Sequence, residues 1–221
     1  DDPRIRYYKN KVGFGAEHVV GNWNKCLEYA TGDYVICMGD DDKLMPDCLE
    51  QYDKLINQHP GLDLYHAMTL MINENSDVIG VQPPRPVYES VFSATYYRWF
   101  RNTRPQYIGD WLFKTKTLKS AGGFIDLPYA WESDDLSAST YGIANLQVLG
   151  FMYRINSQTI SSNITNTTNK LKARLMALDI YHKIIDNTKV KGEPDKFYFD
   201  AISAGYSYHL SKGQAIDLAS D

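Results

Sequence analysis

An apolar run in the first quarter of the chain leads directly into a cluster of negative charge. In YVICMGDDD (residues 34–42), five residues suited to a buried strand are followed by Gly39 and three consecutive aspartates. Adjacent carboxylates repel one another, so holding three of them together at a strand end costs free energy. The pattern therefore predicts a buried strand that ends at a charged loop, and this loop needs a chemical explanation.

The segments around this run alternate between helical and strand-like patterns. Apolar residues at helical spacing predict helices over residues 17–30 and 46–58. Strand-like runs occupy residues 4–8, 34–38, 62–72, 77–82, 107–114 and 146–153. This alternation predicts an α/β sheet that is partly parallel. We expect a domain over residues 1–161, followed by a helical extension over residues 162–221.

The acidic triplet has a functional and a structural interpretation. In α/β sheets, ligands bind beyond the carboxyl ends of the strands, so Asp40, Asp41 and Asp42 are predicted to line a cleft. Mg²⁺ and Mn²⁺ take oxygen ligands, typically one or two carboxylates together with substrate phosphates. The alternative is a solvated acidic turn that caps the helix beginning near Pro46, because aspartate is favoured at helix N-termini.

A second acidic cluster, WESDD (residues 131–135), also precedes a predicted helix. A carboxylate placed near an acceptor hydroxyl can take its proton as a bond to an electrophilic carbon forms, so this cluster is a candidate general base. Trp131 would form an apolar, stacking wall beside it. The same structural alternative, a helix cap, applies here.

Charge and composition exclude several classes of function. The net charge is −4 and no Lys/Arg-rich run is present, so we expect no binding to nucleic acid. The three cysteines have no paired spacing, which indicates reduced thiols and a cytoplasmic protein. No apolar stretch is long enough to span a bilayer. The predicted helices after residue 169 leave open a homodimer and a peripheral membrane contact.

Three segments carry a resemblance to a known family. They are NWNKCLEYATGDYVICMGDDDKLMPDCLEQY (residues 22–52), LFKTKTLKSAGGF (112–124) and AWESDDL (130–136). In this order and spacing they resemble the donor, middle and Glu-Asp segments of bacterial-type family 2 inverting glycosyltransferases with the GT-A fold. The likeness covers residues 4–161, and residues beyond it match only as a generic helical tail.

The resemblance implies a GT-A fold with a mixed, mostly parallel sheet flanked by helices and a helical C-terminal tail. It implies an enzyme that moves a sugar from a nucleotide-sugar donor, most simply a UDP-sugar, to a hydroxyl acceptor with inversion. The acceptor would be a carbohydrate or a lipid-linked sugar, as in cell-surface polysaccharide synthesis, and the cofactor would be Mn²⁺ or Mg²⁺. Gly122 and Gly123 of the Gly-Gly-Phe turn are then expected to lie near the substrates, together with Trp131.

Two departures from the family pattern affect individual residues. Aligned without gaps through Pro46, the first Asp of the family's Asp-x-Asp motif falls on Gly39. The acidic triplet is therefore shifted by one residue, or Asp40 and Asp42 form the motif. We expect Asp41 and Asp42 to hold the metal, and Asp40 to contact the ribose or support the turn.

The family's Glu-Asp pair is the second departure, because it is Ser133-Asp134 in this sequence. The resemblance places the catalytic base at Asp134, with Asp135 and Glu132 as further candidates.

The family's N-terminal strand–helix–strand, which builds the nucleobase pocket, is expected to be absent, because the chain begins at what matches the third strand. Two other functions stay open. One is a metal-dependent nucleotidyltransferase or phosphohydrolase, which also bridges phosphates through clustered aspartates. The other is a non-catalytic sugar- or nucleotide-binding remnant.

Overall fold

The computed structural model of the chain describes residues 2–15, 18–95, 97, 103–125 and 141–156. Its elements are α1 (Val19–Tyr29), β1 (Tyr34–Val35), β2 (Lys43–Leu44), α2 (Cys48–Gln58), β3 (Leu64–Ile72), β4 (Val78–Val81), β5 (Tyr88–Glu89), α3 (Val91–Thr95), β6 (Trp111–Lys114), α4 (Thr115–Ser120) and β7 (Ile143–Arg154). A 3₁₀ turn, Ile108–Asp110, directly precedes β6. The predicted helical tail and domain boundary lie outside the described residues.

The helices and most strands lie where the hydrophobic pattern predicted them. Of the apolar positions used to predict α1 and α2, Val20, Leu27, Tyr52 and Leu55 are buried, whereas Leu49, predicted in the buried stripe of α2, is exposed. The segment 4–8, predicted as a strand, has no strand structure, and β1 is shorter than the predicted run of residues 34–38. Within the described part of the chain, every helix is too short or too polar to cross a bilayer.

Seven described strands form one sheet, in which β1, β6, β3, β7 and β2 are neighbours in that order. At its margins, β4 pairs with β3 and β5 pairs with β7. The prediction of a mixed sheet is confirmed. The expectation of a mostly parallel sheet is wrong for the described strands, because only β3 and β7 run parallel. The hydrophobic pattern of a strand does not fix its direction, which depends on the path of the chain between strands.

The central strands alternate between two hydrophobic cores because successive side chains of a strand point to opposite faces. Leu64 of β3 is the ladder neighbour of both Phe113 and Ile143, and all three pack on the face covered by α1, α3 and α4. The residues beside them in sequence pack on the other face with α2: Tyr65, Leu112 and Ala144. The sheet is therefore covered on both sides.

Candidate functional site

The acidic loop, residues 39–42, joins the extended segment after β1 to β2. β2 holds it against β7, since Lys43 pairs with Met152 and the Met45 N–H donates to the Gly150 carbonyl at 2.9 Å. Two residues further along β7, Arg154 at the end of this strand pairs with Ile72 at the end of β3. The acidic loop therefore lies at the carboxyl ends of the parallel strands, the edge at which α/β sheets bind ligands.

The acidic loop does not cap the following helix. α2 begins at Cys48 and its N-cap is Asp47, whose Oδ2 accepts a hydrogen bond from Gln51 Nε2 at 3.0 Å. β2 separates Asp42 from this N-cap. The structural alternative for the acidic triplet, a cap on this helix, is therefore wrong.

Gly39 allows two carboxylates to fold back toward the main chain. A Cβ atom at this position would lie 3.0 Å from Asp42 Oδ2 and 3.1 Å from Asp41 Oδ1. The two oxygens therefore converge near Gly39, each about 3 Å from the position that a Cβ would take, and a larger residue there would crowd them. Asp41 and Asp42 are half-buried, whereas Asp40 is exposed.

The Asp42 carboxyl is held in an environment that disfavours its charge. Burial raises its pKa to about 6, and the nearby charges of Asp41 and Asp110 act in the same direction. A hydrogen bond from the Arg154 main-chain N–H to Asp42 Oδ1, at 2.9 Å, acts against this shift. A cation bound near the carboxyl would favour its ionised form.

Gly122 and Gly123, which the family resemblance predicts to lie near the substrates, end α4. The Gly123 N–H donates to the Leu118 carbonyl at 2.9 Å and the Gly122 N–H to the Lys119 carbonyl at 3.1 Å, which is a Schellman cap. Both glycines have positive φ, 97° and 82°, so a side chain at either position would strain the backbone. The cap gives them a structural role, and a substrate contact stays a prediction.

This cap is tied to α1 through one amide side chain. Asn24 Nδ2 donates to the Phe124 carbonyl at 2.7 Å, and Asn24 Oδ1 accepts from the Phe124 N–H at 2.8 Å. A Cβ on Gly123 would collide with Asn24 Oδ1. The second glycine is therefore needed for the close approach of α1 as well as for the turn.

A buried polar cluster, formed by His66, Thr69, Gln82 and Asp110, was not identified from the sequence. Asp110 is fully buried, and its Oδ2 accepts hydrogen bonds from Thr69 Oγ1 at 2.9 Å, from Gln82 Nε2 at 3.0 Å and from the Tyr107 N–H at 3.2 Å. The cluster therefore joins β3 to the segment after β4 and to the 3₁₀ turn before β6.

His66 completes this cluster as a neutral side chain. Its Nε2 lies 3.4 Å from Asp110 Oδ2, and its ring lies against Trp111 with 4.8 Å between ring centroids. Burial lowers the pKa of His66 to about 4, and the charge of Arg85 acts in the same direction. The available sequence signal was Asp110 itself, an acid placed directly before the apolar run of β6.

A comparison with family models identifies the chain. The model described as "Glycosyl transferase family 2" matches residues 1–124, more than half of the chain. The chain belongs to glycosyl transferase family 2. Among curated proteins, no sequence matches it.

Solved structures show the fold of this family 2 chain. S. aureus TarS 1–349 in complex with UDP-GlcNAc is similar with a TM-score of 0.58 and 14% identity, over 83% of this chain and 50% of that one. S. aureus TarS 1–349 alone gives a TM-score of 0.59 and 12% identity, over 90% of this chain and 52% of that one. The chain thus spans about half the length of these TarS structures. The likeness confirms the predicted GT-A fold.

The acidic loop of the family 2 chain fits a divalent cation of the Mg²⁺ or Mn²⁺ type. Asp41 Oδ1 and Asp42 Oδ2 supply two converging carboxylate oxygens, which is the number that a Mg²⁺ site usually takes from protein. Among the described residues, no group of three or more His, Cys, Asp or Glu side chains could hold a metal ion. A cation here would therefore need further oxygen ligands, of the kind that a diphosphate supplies.

The second predicted acidic cluster lies outside the described residues, which omit 126–140. The predictions that fall there are the base Asp134, its neighbours Asp135 and Glu132, and the stacking residue Trp131. They stay predictions.

Proposed function

We propose that this chain is a glycosyltransferase that moves a sugar from a UDP-sugar to a hydroxyl acceptor, with inversion and with Mn²⁺ or Mg²⁺ as cofactor. The observation that carries the proposal is the convergence of the Asp41 and Asp42 carboxylates at the carboxyl ends of β3 and β7. Family membership supports sugar transfer, and the complexes of S. aureus TarS with UDP-GlcNAc and UDP support a uridine diphosphate donor.

The acidic loop would bind the donor diphosphate through the cation. Asp41 and Asp42 would be its carboxylate ligands, and the exposed Asp40 would contact the ribose or support the turn. When bound, the cation would supply positive charge that offsets the charge of the leaving diphosphate. The raised pKa of Asp42 supports this assignment, because burial outweighs the opposing charge of Arg154, and a bound cation would favour the ionised carboxyl.

Asp134 would remove the proton from the acceptor hydroxyl. As a general base it would accept the hydroxyl proton while the new glycosidic bond forms, so that one displacement inverts the sugar carbon. Asp135 and Glu132 are the further candidates for this role. Trp131, Gly122 and Gly123 would form the wall beside the reacting sugar.

The acceptor is proposed from the family, whereas the cytoplasmic location rests on the cysteine spacing and the lack of nucleic-acid binding on the net charge. We expect a carbohydrate or lipid-linked sugar acceptor in cell-surface polysaccharide synthesis, and a cytoplasmic enzyme that does not bind nucleic acid. Peripheral membrane contact, a homodimer and the two-part division at residue 161 stay predictions. A nucleotidyltransferase or phosphohydrolase would need more carboxylates on neighbouring strands, and the described residues hold no group of three metal-binding side chains.

Calorimetric titration of the full-length protein with UDP tests the metal. We expect UDP to bind in Mn²⁺ and to lose affinity in EDTA, and equal affinity in both would remove the metal from the proposal. Asp41→Asn and Asp42→Asn should weaken Mn²⁺-dependent binding more than Asp40→Asn. The opposite ranking would place the motif one residue earlier. A panel of nucleotide sugars, read out by release of free UDP, then tests transfer itself.

A further inference from the structure

Arg154, the last residue of β7, joins three segments of the chain. Its Nε donates to the Asp41 carbonyl at 2.9 Å, and its Nη1 donates to the carbonyls of Asn73 and Glu74 at 2.7 and 3.1 Å. Its Nη2 donates to Ser76 Oγ at 3.1 Å. One half-buried side chain therefore connects the end of β7, the acidic loop and the turn between β3 and β4.

The atoms that accept hydrogen bonds from the Arg154 guanidinium leave the carboxylate oxygens of the acidic loop available. Every hydrogen bond that the guanidinium makes to a described residue goes to a main-chain carbonyl or to a hydroxyl, although its charge acts on the nearby Asp42 carboxyl. Asp42 is held instead by the Arg154 main-chain N–H, through Oδ1. Asp41 Oδ1 and Asp42 Oδ2, the oxygens that converge at Gly39, are therefore not used by the arginine.

The turn that receives Arg154 is itself well fixed. Asn73 Oδ1 accepts the N–H groups of Asn75 and Asp77, both at 2.9 Å, and the Asn73 N–H donates to the Asp77 carbonyl. Ser76 has a positive φ of 70°. The planar guanidinium, with donors in a fixed fork, can therefore transmit the position of this turn to the acidic loop.

We propose that Arg154 is a positioning residue that fixes the main chain of the acidic loop against the 73–76 turn and so keeps the Asp41 and Asp42 carboxylates converged for the cation. The inference rests on the proposed function for the identity of the ligand. A neighbouring residue that orients metal ligands typically contributes about 10- to 100-fold to metal affinity.

A purely electrostatic role for Arg154 makes the opposite prediction, which allows a sharp test. Loss of a positive charge beside a cation site should tighten cation binding. If Arg154 positions the acidic loop, Arg154→Gln should instead weaken Mn²⁺ binding by about 10- to 100-fold. Arg154→Lys, which keeps the charge and loses the fork, should weaken it as well. Lys43→Gln is the charge control, because it removes a positive charge next to Asp42 and leaves all the Arg154 bonds in place. Its one contact with the turn is a long hydrogen bond from Lys43 Nζ to Ser76 Oγ, at 3.4 Å.

The experiment measures Mn²⁺ affinity by electron paramagnetic resonance, with UDP present, for the wild type and the three variants. Hydrogen exchange of the metal-free proteins provides a second readout: Arg154→Gln should speed exchange of the amides of residues 39–45 by about tenfold and leave α2 unchanged. Tighter Mn²⁺ binding in Arg154→Gln, or unchanged exchange in residues 39–45, would overturn the positioning role. If the wild type binds UDP without metal but the exchange result holds, the metal in the proposed function fails and the structural link of Arg154 to the acidic loop stands.

Discussion

The acidic loop and the buried polar cluster both contain aspartates, but they treat the negative charge in opposite ways. Asp110 Oδ2 accepts three hydrogen bonds in a fully buried setting. Asp42 accepts one main-chain bond, and its other oxygen converges with that of Asp41. The three donors on Asp110 Oδ2 indicate a role in the fold, although the buried Asp110 Oδ1 has no hydrogen-bond partner among the described residues. Neighbouring carboxylates with few donors are suited to a ligand.

The two regions also titrate in opposite directions. Burial raises the pKa of Asp42 to about 6, so its neutral form is favoured in the folded protein. Burial lowers the pKa of His66 to about 4, so its neutral form is favoured as well. Since one group is an acid and the other a base, the stability contribution of Asp42 is lost as pH rises and that of His66 is lost as pH falls.

The largest effect is expected at the proposed base, Asp134, which like the acidic loop is predicted to act on a substrate. Asp134→Asn cannot accept a proton, so turnover should fall by about 10²- to 10⁴-fold. Asparagine caps a helix about as well as aspartate, so the melting temperature and UDP affinity should stay unchanged. Steady-state kinetics and thermal melting check both halves of this prediction.

The matched control for Asp134 is Asp135→Asn, which should affect turnover far less. If only Asp135→Asn abolishes turnover, the base lies one residue later. If neither variant lowers turnover, residues 131–135 have a structural role and the base lies elsewhere.

The next effect is on stability. Asp110→Ala leaves Thr69 Oγ1, Gln82 Nε2 and the Tyr107 N–H without their shared acceptor, so the free energy of unfolding should fall by about 3 kcal/mol or more. The exposed Asp53→Ala should change it by less than about 0.5 kcal/mol. Urea unfolding measures both. If Asp110→Ala keeps its stability but loses turnover, Asp110 has a functional role and not a structural one.

These two regions show why the sequence predicts some features and not others. The helices and long strands follow from hydrophobic periodicity, which placed α1, α2 and β3 correctly. The position of the acidic loop followed from a local rule, an apolar strand running into charge. The direction of β1, β2, β5 and β6 depends on how the chain returns to the sheet, so their antiparallel pairing could not be read from hydrophobic pattern alone.

The buried polar cluster was missed for a related reason. Its members are far apart in the sequence, and each taken alone resembles an ordinary polar residue of a half-exposed strand or loop. The glycine pair at 122–123 has a role that the sequence did not indicate. The hydrogen bonds show a helix cap that α4 and Asn24 require, and the substrate contact implied by the resemblance stays a prediction beside it.

A smaller effect is expected at Gly39, where a substitution changes the positions of the two carboxylates of the acidic loop and leaves their charge unchanged. A Cβ would lie 3.0 Å and 3.1 Å from the two carboxylate oxygens, so Gly39→Ala should push them apart. We expect Mn²⁺-dependent UDP affinity to fall by about tenfold. Stability should change little, because the carboxylates can rotate into solvent. Titration calorimetry measures this affinity. An unchanged affinity in Gly39→Ala would show that the cation does not need the two carboxylates to converge.

The smallest effect concerns the pH dependence that Asp42 gives to the metal-free protein. Its folded pKa is raised to about 6 from the ordinary value of 3.8, so its stabilising contribution is fully present below about pH 4 and lost as pH rises through 6. Asp42→Asn keeps an acceptor for the Arg154 N–H and does not titrate.

The Asp42→Asn variant should therefore match the wild type at about pH 4 and exceed it at pH 7 by about 1 kcal/mol, after allowance for solvent screening of a partly exposed group. His66 titrates in both proteins, so its opposite contribution cancels in this difference. Urea unfolding in EDTA at the two pH values measures it. With Mn²⁺ and UDP added at pH 7, the order should reverse, because the wild type alone retains both carboxylates for the cation. If the two proteins differ in free energy of unfolding by the same amount at both pH values, the fold itself already stabilises the Asp42 carboxylate. The acidic loop would then hold its charge as the buried polar cluster holds that of Asp110.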